Sequence, residues 1–194
     1  MHTWKKVLLT LAVALLGFTV VLGAPVAVRA DTGTDWTAVH QDADRIYGQA
    51  QTIQFWAEAV RLDAMRIMTL ESDPQVLALA SQIVALAAQT ERDAADIMGV
   101  TQQINYRIDH SEGTTLRLSD DIGIMADRIG IMANRILWTE LQIGVMADRI
   151  MASNHLISYS SLVLSGRIKN TTDNMVTKTY EMQATLAHMQ NTLR

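Results

Sequence analysis

The feature that most constrains the fold is a seven-residue repeat in the second half of the chain. Three blocks read Gly-Ile/Val-Met-Ala-Asp/Asn-Arg-Ile almost without change: Gly123–Ile129, Gly130–Ile136 and Gly144–Ile150. The block between the last two, Leu137–Ile143, keeps its final isoleucine but carries Leu137, Thr139 and Glu140 in place of Gly, Met and Ala. An apolar period of seven is typical of α-helices that pack lengthwise against other helices.

A shorter version of the same element occurs upstream, as an alanine followed three residues later by isoleucine or valine. Its copies are Ala43 with Ile46, Ala50 with Ile53, Ala57 with Val60, Ala64 with Ile67 and, more weakly, Ala80 with Ile83 and Ala94 with Ile97. Alternating β-branched segments bounded by turn residues are missing. The chain is therefore predicted to consist of related helical segments.

Turn-forming residues divide the repeats. Asp73 and Pro74 form a helix cap and a first helical turn, and a second break is predicted at Asp109–Gly113. A third helix should run from near Thr115 to at least Ala152. Its end is left open, because Ser153-Asn154-His155 and Ser165-Gly166 are both stop signals, and a last helical segment covers Asp173 to Leu193. The predicted fold is an all-α bundle of three or four long helices with coiled-coil-like heptad packing. It forms one domain over residues 31–194, with its strongest repeats at 122–150.

The first thirty residues are predicted to be a signal peptide. Lys5 and Lys6 precede the apolar run Val7–Leu22, and Val28-Arg29-Ala30 supplies the small residues of a cleavage site before Asp31. An uncleaved membrane anchor is the alternative, since about 20 apolar residues span a bilayer. Either way the remainder of the chain is expected to be exported, to a periplasmic or extracellular location.

The charge balance argues against nucleic acid as a partner. The whole chain carries a net charge of −4, and Lys5, Lys6 and Arg29 lie in the predicted signal segment, so the mature chain is more acidic still. Nucleic-acid binding requires a basic surface that neutralises phosphates, and the mature chain has no cluster of lysine or arginine.

The third predicted helix is apolar on two opposed sides. Ile122, Ile129, Ile136, Ile143 and Ile150 form one line, which we call the isoleucine seam. A second line lies about 200° away at 100° per residue, and it consists of Ile124, Ile131, Trp138 and Val145. A helix of this kind either occupies the centre of a bundle or uses its second face for another subunit, a lipid or a ligand.

Small residues form a further strip on this helix, at Gly123, Gly130, Gly144, Ala126, Ala133 and Ala147. Each glycine costs about 1 kcal/mol relative to alanine inside a helix, so close approach of a neighbouring helix is the expected benefit. The strip and the second apolar line together form the predicted packing or interaction face. Alanine at the three glycines is then expected to destabilise the protein through overpacking.

No catalytic, metal or cofactor site is predicted. The chain has no cysteine, and its methionines at 125, 132 and 146 fall at helical spacing, where methionine usually fills a core. His188-Met189 is the one adjacent His/Met pair of the mature chain, and the pattern favours a solvated histidine beside a core methionine over a ligand pair. Motifs for zinc, di-iron, haem or a serine nucleophile are missing.

Three functions are compatible with these patterns. The first is an exported structural or interaction protein that self-associates, or binds another envelope or extracellular protein, through its repeated Ile/Met/Ala/Gly heptads. The second is a membrane- or lipid-interacting helical protein, including a pore-former, in which the second apolar line contacts acyl chains. The third is a periplasmic carrier of a metal or small ligand.

Overall fold

A computed structural model describes residues 33–110, 115–153 and 157–194 of the chain. The predicted signal peptide, residues 1–30, lies outside the described residues. Within the described part, four long α-helices follow one another: α1 (Trp36–Leu70), α2 (Pro74–Asp109), α3 (Thr115–Ala152) and α4 (Tyr159–Thr192). The described residues contain no strand. The all-α bundle prediction is confirmed, with four helices.

The helix boundaries follow local capping chemistry. Asp73 accepts hydrogen bonds from the backbone N–H groups of Gln75 and Val76, and Pro74 occupies the first turn of α2, as the sequence predicts. Ser158 caps α4 by accepting from the N–H of Ser161. Of the two candidate stops after Ala152, the chain uses the first, so Gly166 lies inside α4 and does not end a helix.

The four helices form a closed ring in which each contacts its neighbours in sequence and α4 packs back against α1. Polar contacts show that the first two helices are antiparallel. Between α1 and α2, Asn105 Nδ2 donates to Asp44 Oδ1 over 2.6 Å, and farther along the pair Arg61 Nε lies 2.6 Å from Glu91 Oε1. Residue numbers thus rise along α1 where they fall along α2.

The core is built from buried residues that alternate by four and three along the helices. On α1, alanines at 43, 50, 57 and 64 alternate with Ile46, Ile53, Val60 and Ile67, all buried. On α3 the isoleucine seam alternates with Ala126, Ala133 and Ala147 in the same way. Small side chains let neighbouring helices approach, and the large ones fill the space between them. The seam therefore packs inside this chain.

Two buried aspartates are paired with arginines across helix boundaries. Arg135 of α3 donates through two guanidinium nitrogens to Asp93 of α2, whose side chain is almost completely buried. Arg167 of α4 makes the equivalent pair with Asp63 of α1. A buried carboxylate is costly unless it is paired, so these contacts favour this choice of neighbouring helices.

The glycines of α3 have more space than the sequence suggests. A Cβ built on Gly123 meets no atom within 4 Å, and one on Gly144 meets the side chains of Lys169 and Thr172 at ordinary contact distances of 3.8 to 3.9 Å. At Gly130 the nearest atom is Leu186 Cδ2 at 3.4 Å. The expected close approach of a neighbouring helix is therefore not seen within the bundle, where alanine at these positions has room.

This geometry reverses the effect on stability that the sequence predicts for replacing these glycines with alanine. We expect Gly123→Ala to raise the free energy of unfolding by about 1 kcal/mol, because helix propensity improves and nothing is displaced. Gly130→Ala should gain less, since the end of the Leu186 side chain must adjust. Urea unfolding followed by circular dichroism measures both. Destabilisation by Gly123→Ala would show that another chain covers this position.

Candidate functional site

The second apolar line of α3 faces away from the core. Ile124, Ile131 and Trp138 are 63, 68 and 61% exposed, and Val145 is exposed as well. We call these four residues the α3 stripe. Exposed apolar residues that follow one another along a surface commonly mark interaction sites.

An acidic edge borders the stripe on the side of α4. Asp127 and Asp148 are exposed and occupy the same heptad position as Asn134 and Leu141. The contacts of this edge go to α4, since Gln190 Nε2 donates to Asp127 Oδ1 and Gln183 Nε2 donates to Asn134 Oδ1, both over 2.9 Å. The stripe thus has carboxylates along one flank.

A basic edge borders the stripe on the side of α2. Arg128 and Arg149 are exposed and share the heptad position of Arg135, which reaches over to Asp93 of α2. Among the described residues, Arg128 and Arg149 have no ion-pair partner. Two guanidinium groups are therefore available to an incoming partner beside the apolar surface.

The structure separates the residues of the predicted interaction face. Ala126, Ala133 and Ala147 are completely buried and belong to the core of the bundle. Gly144 is buried as well, and Gly123 and Gly130 are partly buried. Of the predicted face, Ile124, Ile131, Trp138 and Val145 are the residues exposed on the outer surface of α3.

A buried carboxyl group, which the sequence did not single out as functional, lies on the inner side of α3. Glu140 is completely buried, and Thr179 Oγ1 of α4 donates to its Oε1 over 3.0 Å. Its Oε2 is buried with no hydrogen-bond partner among the described residues. Nearby in sequence, Thr139 shares a hydrogen bond of 2.9 Å with Thr90 of α2. The signal for this site was the degraded repeat block, in which Thr139 and Glu140 replace methionine and alanine.

Burial dominates the chemistry of Glu140. Desolvation raises its pKa to about 8, and the hydrogen bond from Thr179 lowers the pKa by less. Below that pH the carboxyl is therefore protonated and uncharged, which is how the core accommodates it. Burying this neutral carboxylic acid still costs free energy, because one of its oxygens has no hydrogen-bond partner among the described residues.

The histidine and methionine residues considered as metal ligands take part in hydrogen bonding and core packing. His188 Nδ1 lies 2.6 Å from Asp42 Oδ2, and Met189 is buried in the core. Met125, Met132 and Met146 pack, partly buried, against the core. In the described residues there is no group of three or more histidine, aspartate or glutamate side chains placed to bind a metal ion.

None of the described helices combines the length and hydropathy needed to cross a membrane.

No protein-family description, no curated protein and no solved structure matches this chain.

The titration of Glu140 predicts a pH dependence of stability. The unfolded chain releases this proton near pH 4.5 and the folded chain only near pH 8, so between these values the folded state holds one proton more. The free energy of unfolding should therefore fall as the pH rises from about 5 to about 8, by at most roughly 5 kcal/mol. Glu140→Gln should remove this part of the slope.

Urea unfolding at a series of pH values measures the effect, with Glu58→Gln as a matched control that removes an exposed carboxylate from α1. The informative quantity is the difference between wild type and each variant. A wild-type minus Glu140→Gln difference that stays constant with pH would contradict the assignment of a proton to the buried carboxyl.

Proposed function

We propose that this protein is an exported helical interaction protein that self-associates or binds another envelope or extracellular protein through the α3 stripe. Its activity is binding, and no part of the proposal requires catalysis. The helices supply a stable scaffold through coiled-coil-like heptad packing inside the chain. The stripe supplies the contact surface.

The exposure of the α3 stripe carries this proposal. The isoleucine seam, for which the sequence left open a contact within one bundle or between chains, is completely buried within one chain. An interaction through the repeats must therefore use the opposite side of α3. Trp138 lies in the middle of the stripe, and tryptophan and arginine are among the residue types that contribute most to binding energy at protein interfaces.

The charges at the edges favour a protein partner over a lipid surface. Anionic lipids attract a polar face rich in lysine and arginine. Here Asp127 and Asp148 border one side of the stripe, and both are exposed. A protein surface with an apolar centre and mixed charges at its rim matches this pattern more closely.

The double variant Ile131→Glu/Trp138→Glu tests the proposal. We expect wild-type residues 31–194 to show a mass above that of one chain by light scattering as the protein concentration is raised. The variant should stay at the mass of a monomer, because two buried carboxylates without partners would oppose the contact. Both should show the same helical circular dichroism, since the substituted side chains are exposed.

Phe55→Glu is the matched control, because Phe55 on α1 is 68% exposed, as Ile131 is, and lies outside the stripe. It should associate as the wild type does. Equal masses for the wild type and the double variant at every concentration would overturn self-association through the stripe. Flotation of the wild type, but not the double variant, with phosphatidylglycerol vesicles would favour a lipid partner instead.

A further inference from the structure

The two edges of the α3 stripe differ in charge, and this difference identifies a partner. Along the side of α4 the edge carries Asp127 and Asp148, and along the side of α2 it carries Arg128 and Arg149. All four side chains are exposed. A partner that fits this surface needs an apolar stripe with an acidic edge and a basic edge in the opposite arrangement.

A second copy of this chain supplies such a surface in one orientation only. When two α3 helices meet face to face and run parallel, the two-fold axis runs along the helices, and the acidic edge of each copy lies opposite the basic edge of the other. When they run antiparallel, the axis crosses the helices, and acidic edge meets acidic edge. Like charges placed opposite each other disfavour an interface.

The heights of the charged residues along the axis of α3 agree with the parallel arrangement. Asp127 and Arg128 are adjacent in sequence, as are Asp148 and Arg149, so the members of each pair differ in height by about 1.5 Å along the axis. Across a parallel two-fold axis, Asp127 of one copy lies nearly level with Arg128 of the other, and Asp148 lies nearly level with Arg149. Each of these edge charges thus finds an opposite charge.

The apolar residues of the two α3 stripes also face each other in the parallel arrangement. Ile124, Ile131, Trp138 and Val145 recur every seven residues, so in parallel copies each faces its own counterpart across the axis. A single helix face is narrow, and its contact area falls at the low end for protein interfaces. The contact should therefore be weak and dependent on concentration.

We infer that two copies of this chain associate in parallel through their α3 stripes, with Asp127 and Asp148 of each paired to Arg128 and Arg149 of the other. This inference rests on the proposed function and specifies its partner. It predicts an assembly in which the two bundles lie side by side with their α3 helices pointing the same way.

Single-cysteine variants test the orientation, and they are clean reporters because the chain has no cysteine of its own. The two positions are Ile124 and Val145, which lie about 31 Å apart on one helix. In the parallel dimer, two copies of Ile124→Cys should form a disulfide between their Cys side chains at position 124. Two copies of Val145→Cys should do the same at position 145. A mixture of the two, with one carrying a size tag, should yield little mixed product.

Phe55→Cys is the control for random collision, and it should cross-link far less than either stripe variant. Mixed disulfides between Ile124→Cys and Val145→Cys would show an antiparallel dimer, which overturns the inference and leaves the proposed function standing. Cross-linking no greater than that of Phe55→Cys, at concentrations where light scattering shows dimers, would place the interface elsewhere and overturn both.

Charge reversal gives an independent readout. Asp127→Arg with Asp148→Arg makes both edges basic, so the parallel dimer should lose affinity by about tenfold or more. Adding Arg128→Asp with Arg149→Asp exchanges the edges completely, restores complementarity and should return the dissociation constant toward that of the wild type. An antiparallel dimer pairs like charges before and after each change, so loss without rescue, or no loss, contradicts the inference.

Discussion

The alternation of small and large buried side chains along the helices is the constraint on which the rest of the structure depends. On α1 and α3, alanine and a β-branched residue take turns at steps of four and three, and each line is completely buried or nearly so. Two neighbouring helices can approach closely only where small residues face the gap. The ring closes because α4 continues the pattern with threonine, serine, methionine and isoleucine.

Closing this ring inside one chain decides which surfaces remain for function. The isoleucine seam is used within the chain, so a contact with another molecule must lie on the outer side, where α3 presents three aliphatic residues and a tryptophan spaced by seven. The same helix departs from its repeat at Thr139 and Glu140, on the inner side. That departure places an uncharged carboxyl group in the core, where its proton contributes to stability at neutral pH and below.

Much of the fold was predictable, because helix period and capping are local properties of the sequence. The break at Asp73-Pro74, the start of α3 at Thr115 and the opposed faces of α3 needed no tertiary information. Three features did: whether the seam closes within one chain or between chains, whether the glycines face a neighbouring backbone, and what Glu140 meets. Each depends on which helix lies alongside and at what height, which the repeat of a single helix does not specify.

The central claim is that the seam is internal and the stripe external, and thiol labelling of two cysteine variants tests it most directly. Ile129 lies on the seam and is completely buried, while Ile131 lies on the stripe. The account predicts that Ile131→Cys reacts rapidly in dilute protein and that Ile129→Cys reacts at least about a hundredfold more slowly at every protein concentration. Protection of Ile129→Cys that disappears on dilution would mean that the seam joins separate chains, and would contradict the account.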